Sequence, residues 1–382
     1  MQNNALIAHS ETELYAWLRL TLEPGIGSVG AKNLLARFGL PQQIFEAKFT
    51  ELMSIVGEKL ALQLREPCSL AIQEQINKTV EWLQKDPEHH ILTLADNAYP
   101  QSLLDTHDPP ILLYLDGQIE VFQKQAIAIV GARHATLGGE QNAHAFAKYL
   151  AQQDWCVISG LAKGIDAAAH EGALASGQFG ATIAVMGTGI NRIYPAEHRD
   201  LAWQIKKNGA LISEFPLDTR SAAHHFPMRN RIVAGLSRGV VVVEAAQKSG
   251  SLITARLAGD LGKEIFAIPG SIHSPLSRGC HQLIRQGAKL VETGQDIFEE
   301  LGHPVRVAAP QPDEISQKKG DIPIEFQQIL AMIGFDPIVP AVLQEKLAID
   351  DAQMSQLLIA MELQGLIVRL VDGRYQQKHG TA

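Results

Sequence analysis

Three short segments combine cations with glycine or hydroxyl residues in a way that suits an anion, and a fourth carries two arginines. Ser159-Gly160-Leu-Ala-Lys163-Gly164 follows an apolar run at 155–158 and leads into a helical pattern near Asp166. Such a turn aims backbone N–H groups and a lysine at whatever lies above the strand end, which favours phosphate. Gly131-Ala132-Arg133 and Lys248-Ser249-Gly250-Ser251 have the same construction, and Arg229-Asn230-Arg231 opens another helix. Together they imply that several cations and N–H donors converge. Each residue also has a plainer reading: Arg133 and Lys163 as solvated loop cations, Arg229 and Arg231 as partners of carboxylates such as Glu214 or Glu244.

Catalytic signatures are missing. Gly187-Thr-Gly189-Ile-Asn-Arg192 supplies two glycines of a dinucleotide fingerprint and then departs from it, and no Walker A, H-E-x-x-H or G-x-S-x-G string occurs. Asp166 and His170 are spaced for one helix face, yet an acidic residue capping its helix with a histidine packed behind it is the commoner arrangement. No catalytic residue, metal ligand or cofactor is assigned.

The elements that must position these turns follow from periodicity. Between 121 and 292, apolar runs at 126–130, 155–158, 181–186, 210–214, 239–244, 264–268 and 289–291 alternate with helical patterns beginning near Gly139, Asp166, His198, Met228, Ser251 and His281. Continuous runs such as Val240-Val-Val-Val243 imply strands buried on both faces, hence an α/β, Rossmann-like, doubly wound and mostly parallel sheet. Ligands of such sheets lie over the carboxyl ends of the strands, where the four segments fall. Residues 91–117 are expected to add extended structure.

The flanks differ in kind. Residues 1–88 read as an N-terminal helical domain of helix-hairpin-helix/SAM-like type, with the turn Pro24-Gly-Ile-Gly27 between two amphipathic patterns. Such a hairpin either contacts one backbone phosphate or simply joins two helices. The Rossmann-like domain is expected over 89–301, a Pro-, Gln- and Lys-rich linker over 302–321, and a winged helix over 322–382, with its hairpin turned at Asp372-Gly373. The third helix of that module, from Asp350 to Leu363, holds no Lys or Arg, which favours a protein-contact or vestigial role over groove reading.

Composition sets outer limits. The chain has 382 residues, 46% of them hydrophobic, enough for two or three cores. Its net charge is −8, but residues 121–292 hold 18 Lys and Arg against 12 Asp and Glu, a balance of +6 that leaves −14 for the remainder. A basic middle on an acidic body can hold an anionic polymer at one face. Cys68, Cys156 and Cys280 show no C-x-x-C pairing, as expected of free thiols in a reducing cytoplasm. With no basic n-region at the start and no run near ~18 apolar residues, a cytoplasmic protein without a membrane span is expected.

The strings Tyr99-Pro100, Asp108-Pro-Pro-Ile-Leu-Leu, Ile129-Val-Gly-Ala-Arg133, Val157-Ile-Ser-Gly-Leu-Ala-Lys-Gly-Ile-Asp166, Tyr194-Pro-Ala-Glu-His198, Ser213-Glu-Phe-Pro216, Phe226-Pro-Met-Arg-Asn-Arg231, Val243-Glu-Ala245, Ser249-Gly-Ser251, Pro269-Gly270 and Gly287-Ala288, in this order, resemble the DprA/Smf family. Ala132 stands where that family commonly has serine. The resemblance implies a non-enzymatic mediator of natural transformation that binds and protects incoming single-stranded DNA, loads the RecA recombinase and forms a homodimer through its Rossmann-like domain. Carried to matching positions, it assigns DNA contact to Arg133 and Lys163, with Gly131, Gly160, Gly164, Arg229, Asn230, Arg231, Ser249, Gly250 and Ser251 around them. A stacking ring is also expected, and Phe146, Tyr194 and Phe226 are candidates. Two other classes compete. One is a phosphoribohydrolase-like nucleotide enzyme on the same fold, disfavoured because Thr254 occupies the position of its catalytic glutamate. The other is a pure adaptor without DNA affinity.

Overall fold

The computed structural model describes residues 9–303, 323–333, 337–347, 349–370 and 372–377; residues 1–8 and 304–321 of the expected linker lie outside the described residues. The chain divides into two compact units, one holding the N-terminal helices and the large sheet, the other the C-terminal module.

Five helices come first: α1 (Glu11–Leu22), α2 (Ser28–Phe38), α3 (Pro41–Glu46), α4 (Phe49–Arg65) and α5 (Leu70–Lys85). Ser10 starts α1 through a capping box, its hydroxyl accepting from Glu13 N at 3.3 Å while the Glu13 carboxylate accepts from Ser10 N at 2.9 Å. Gly25 (φ +85°) lets the chain reverse between α1 and α2, a conformation that side chains disfavour. Gly57 (φ +79°) kinks α4 in the same way.

The rest of this unit is wound around one sheet. Its elements are β1 (His89–Thr93), α6 (Gln101–Leu104), β2 (Leu112–Gly117), β3 (Ala126–Val130), α7 (Leu137–Gln152), β4 (Cys156–Ser159), α8 (Ile165–Leu174), β5 (Thr182–Val185), α9 (Arg199–Asn208), β6 (Ala210–Ser213), α10 (His225–Leu236), β7 (Gly239–Val242), α11 (Ser251–Asp260), β8 (Glu264–Ala267), α12 (Arg278–Arg285), β9 (Lys289–Leu290) and α13 (Gly294–Glu300). The strand order is β1-β2-β6-β5-β4-β3-β7-β8-β9. Strands β3 to β9 are parallel, whereas β1 and β2 join antiparallel, β2 against β6. The extended structure expected over 91–117 is therefore a two-strand extension of the parallel sheet. From β3 the chain winds one way to β6, then returns to β7 beside β3 and winds the other way. The topological switch lies between β3 and β7, where a crevice opens above the strand ends.

Burial on both faces explains why β3, β4, β5 and β7 read as unbroken apolar runs: every residue in them is buried. One core joins the N-terminal helices to the sheet through Trp17, Leu18, Trp82, Tyr114, Met186 and Ile205. On the other face Ile232, Val233, Ala255 and Cys280 from α10, α11 and α12 cover Val130, Ile158 and Val240. Lys206 braces β2 to the end of α5, bonding Asp116 at 2.6 Å and Asp86 at 2.8 Å. Cys156 and Cys280 are buried free thiols, pushed up to about 12 by burial, and Cys68 is half-buried.

The C-terminal unit contains α14 (Ile324–Ile333), α15 (Pro340–Leu347), α16 (Asp351–Leu363) and an antiparallel pair, β10 (Ile367–Arg369) with β11 (Tyr375–Gln377). Asp350 caps α16, accepting from Gln353 N at 2.8 Å. Phe326, Ile329, Leu343, Met354, Leu358 and Met361 close its core, and Gly373 (φ +83°) turns the hairpin. This is a winged helix. No helix among the described residues is long and apolar enough to cross a membrane.

Inside the sheet unit, His170 on α8 is fully buried and its Nδ1 lies 2.7 Å from Thr182 Oγ1. Thr182 donates its only hydroxyl proton to Val157 O at 2.7 Å, so the imidazole must donate from Nδ1 and stays neutral. Burial is the main cause that lowers its pKa to about 3, with Arg229 and His198 adding to it. Below the usual value of 6.5 the unfolded chain takes up a proton that the native state refuses until about pH 3. The native state therefore loses about 1.4 kcal/mol per pH unit in that window, about 2 kcal/mol at pH 5. Urea unfolding at pH 7 and pH 5 should show a smaller loss for His170→Asn than for the wild type. Equal losses would mean that this histidine protonates without unfolding the protein.

Candidate functional site

The turns after β3 and β7 meet at the switch point and form a recess of about 370 Å³. Gly131 and Arg133 enter it from the β3 exit, Ser249, Gly250 and Ser251 from the start of α11, and Arg229 and Asn230 from α10. Four expected residues do not line it: Gly160, Lys163, Gly164 and Arg231. Their positions show what each contributes.

Gly160 makes room for Arg229. A Cβ on Gly160 would lie 1.2 Å from Arg229 Nη1, so only glycine lets the guanidinium sit against the turn after β4. Arg229 is 4% exposed, and its charge is balanced by buried Asp166. Asp166 Oδ2 also accepts from Gly160 N at 3.1 Å and Ala162 N at 3.3 Å, which ties the turn to the first residues of α8. Burial raises the Asp166 carboxyl while Arg229 and the backbone donors pull it down. Asp166 is thus a brace within its own turn, as its place at the helix start suggested, but its electrostatic attraction to Arg229 was not foreseen.

The other two glycines serve close packing. Gly164 (φ +69°) caps α8, and a Cβ there would lie 2.4 Å from Ala132 O. A Cβ on Gly131 would lie 2.5 Å from Ile165 Cγ1. Buried Ala132 accepts from Ile165 N at 3.2 Å, so the β3 exit and the start of α8 are joined by backbone. Arg231 points away from the recess, pairing with Glu214 and with Asp108 at 3.2 Å. Burial raises the Glu214 carboxyl, opposed by Arg231. Lys163 is half-exposed and holds Glu197 at 2.6 Å. An exposed pair of this kind is weak, so a ligand phosphate can displace the carboxylate.

Around the α11 start, Ser249 Oγ and Ser251 Oγ are 2.7 Å apart and Asn230 Nδ2 reaches Gly250 O at 3.5 Å. Arg133 is exposed, and its guanidinium carbon lies 5.0 Å from the centroid of the Phe226 ring. Tyr194 sits beside Phe226, with centroids 5.8 Å apart and planes tilted by 45°, and is 48% exposed. Phe146 is buried at 7% exposure, which removes it as a stacking candidate. Sequence left the ring undetermined because Tyr194 and Phe226 are 32 positions apart and only the fold makes them neighbours. Ala223, Ile253 and Thr254 also line the recess and were not expected there as ligand contacts. Asp166 is its single carboxylate among the described lining residues, and Arg229 balances it. Arg133 therefore leaves the recess with a net positive charge beside the half-buried Phe226 ring and the exposed Tyr194 ring.

Comparison with known proteins finds relatives in sequence and in fold. Residues 90–302 match the family described as DNA recombination-mediator protein A, and residues 309–373 match the DprA winged helix domain. Protein Smf of Escherichia coli strain K12 is 38% identical over 333 residues, covering 86% of this chain and 88% of that protein. DNA processing protein DprA of Streptococcus pneumoniae is 44% identical over 218 residues, covering 57% of this chain and 75% of that one. The crystal structure of the pneumococcal protein superposes with a TM-score of 0.66 at 34% identity, over 75% of this chain and 97% of that one. DNA processing protein A of Helicobacter pylori, described for its single-stranded DNA binding mode, superposes with a TM-score of 0.51 at 30% identity, over 56% and 95% of the two chains.

The Gly160 contact can be probed directly. Gly160→Ala must displace the Arg229 guanidinium from its buried place, an overpacking that should cost about 1–3 kcal/mol in urea unfolding. An unchanged urea midpoint would show that Arg229 has an equally good place elsewhere.

Proposed function

Because this chain belongs to the DNA recombination-mediator protein A family, we propose that the recess at the switch point binds single-stranded DNA without sequence preference. The observation that carries the reading is Arg133 packed over Phe226 beside exposed Tyr194. A cation next to free aromatic faces suits a strand whose bases are unpaired, since the rings stack bases while the guanidinium takes a phosphate. A duplex keeps its base faces covered, so it gains only the charge. The Helicobacter pylori relative, described for binding single-stranded DNA, supports the same assignment. Arg133, Asn230, Ser249, Gly250 and Ser251 are the direct contacts in this reading, and Lys163 joins them after releasing Glu197. Gly131, Gly160, Gly164, Arg229 and Arg231 hold the frame.

The protein acts here as a mediator and not as an enzyme. Thr254 lines the recess where a nucleotide hydrolase of this fold has glutamate, and Asp166, the single carboxylate among the described lining residues, is held by two backbone donors. Family membership extends the reading to protecting incoming DNA in the cytoplasm and loading RecA during natural transformation, with a homodimer formed through the sheet domain. On α16, which has no Lys or Arg, Ile359 and Leu363 are 55% and 84% exposed, which suits protein contact better than a phosphate backbone.

Charge and stacking separate in titration. Arg133→Ala should weaken binding to all single-stranded sequences alike and flatten the slope of log K on log salt by roughly 0.7. Phe226→Ala should cost about 1–3 kcal/mol of affinity and leave that slope unchanged. Lys163→Ala should have the smaller effect of the two cation variants, because Glu197 already holds its charge. Normal folding with unchanged affinity and slope in both cation variants would refute the assignment, and release of free base from nucleoside monophosphates would favour the hydrolase.

Removing all residues after 303 should leave single-strand affinity within about threefold, since attraction scales with the phosphates engaged. A loss of ~100-fold, about 2.7 kcal/mol, would instead make the winged helix a principal DNA site.

A further inference from the structure

A second groove opens on the far side of the α11 start. It has a volume of about 340 Å³ and is lined by Lys248 and Arg256, by the amides of Gln247, Gln282 and Gln286, and by an apolar floor that includes Leu252. No carboxylate is among its described lining residues. Ser249 and Ile253 belong to both cavities, so the groove continues the recess around one helix end. Ile253 is 38% exposed between the two. Lys248 and Arg256 are exposed. Neither has a carboxylate within ion-pair distance among the described residues, unlike Lys163, Arg231, Lys206 and Lys289.

From these observations we infer that the groove carries the continuation of the bound single strand, so that the strand passes over Ser249 and Ile253 and its next phosphates meet Lys248 and Arg256. The inference rests on the reading of the recess as a single-strand site. Charge decides the occupant: two cations without a carboxylate partner among the described residues suit a polyanion. The apolar floor and three amides suit unpaired bases, which offer both a flat face and hydrogen-bonding edges. Ile253 and Arg256 lie three apart on one helix face, and Ser251 to Arg256 spans roughly 7.5 Å of axis. The groove therefore extends the footprint by roughly one or two nucleotides, within the ~4–16 typical of such sites.

Strand length separates the two cavities. The full-length protein is titrated with oligothymidines of about 6 and about 20 nucleotides, the shorter filling the recess alone. The double variant Lys248→Ala/Arg256→Ala should bind the longer strand about tenfold more weakly, bind the shorter within about twofold, and show a salt slope on the longer strand lower by roughly 1.4, two contacts' worth. The Gln/Gln double variant, which keeps polar side chains without the charge, should behave the same, and both should melt as the wild type does. Wild-type affinity and slope on the longer strand would overturn the inference and leave the groove to a protein partner. An equal loss on both lengths would overturn it too, because the cations would then belong to the recess. Arg133→Ala is the control for the underlying reading: it should weaken both lengths, and if it weakens neither, the reading of the recess fails whatever the double variant does.

Discussion

The burial of the Arg229 guanidinium against Gly160, with the buried Asp166 carboxylate as its electrostatic counterweight, is the constraint on which the site's geometry turns. It links two elements that the sheet alone would leave independent, α10 and the β4 exit with the first turn of α8. Burying either charge alone would be costly, so each requires the other, and both require the missing side chain at Gly160. Once Arg229 is seated, the first turn of α10 is held against the strand ends and Phe226 stands at the mouth of the recess. Asn230 then reaches the start of α11. Arg231, on the other side of the same turn, is anchored by Glu214 and Asp108. Two inward arginines thus fix a helix end whose remaining residues face a ligand.

The recess is positive because Arg133 at its mouth has no carboxylate partner among the described residues, while several cations elsewhere in the sheet unit are neutralised. Lys206, Lys124, Arg231 and Lys289 each hold a carboxylate within 3.0 Å or in a bonded pair, and they serve the fold. A net charge of −8 is therefore compatible with anion binding: what matters locally is which cations lack a partner. Arg133, Lys248 and Arg256 have no ion pair among the described residues, and all three flank the start of α11 or the strand beside it.

Much of this was legible in the sequence because it depends on local pattern. Unbroken apolar runs located β3 to β8 to within a residue or two, and glycine-cation turns located the strand ends. The winged hairpin at Asp372-Gly373 was equally plain. Long-range choices were not legible. Arg229 and Arg231 are two apart in similar surroundings, and only the third dimension shows that one faces Asp166 and the other Glu214. Gly160 looked like a ligand-binding glycine, whereas its lack of a Cβ admits a neighbouring guanidinium. The aromatic pair was out of reach for the same reason, since Tyr194 and Phe226 come from different loops. The shared core between the N-terminal helices and the sheet was also not legible, because amphipathic helices indicate that they bury a face but not against what.

The placement of β2 has a consequence for biosynthesis. Leu112–Gly117 hydrogen-bonds to Ala210–Ser213, nearly a hundred residues later in the chain. The helices α1 to α5 rest on a sheet surface to which Ala184, Met186 and Leu211 contribute, residues not yet made when α5 is complete. The face they turn to the sheet therefore stays solvated until β6 has been translated. Synthesis of these helices precedes that of the surface they rest on, and in that interval the growing chain exposes apolar faces to chaperones and proteases.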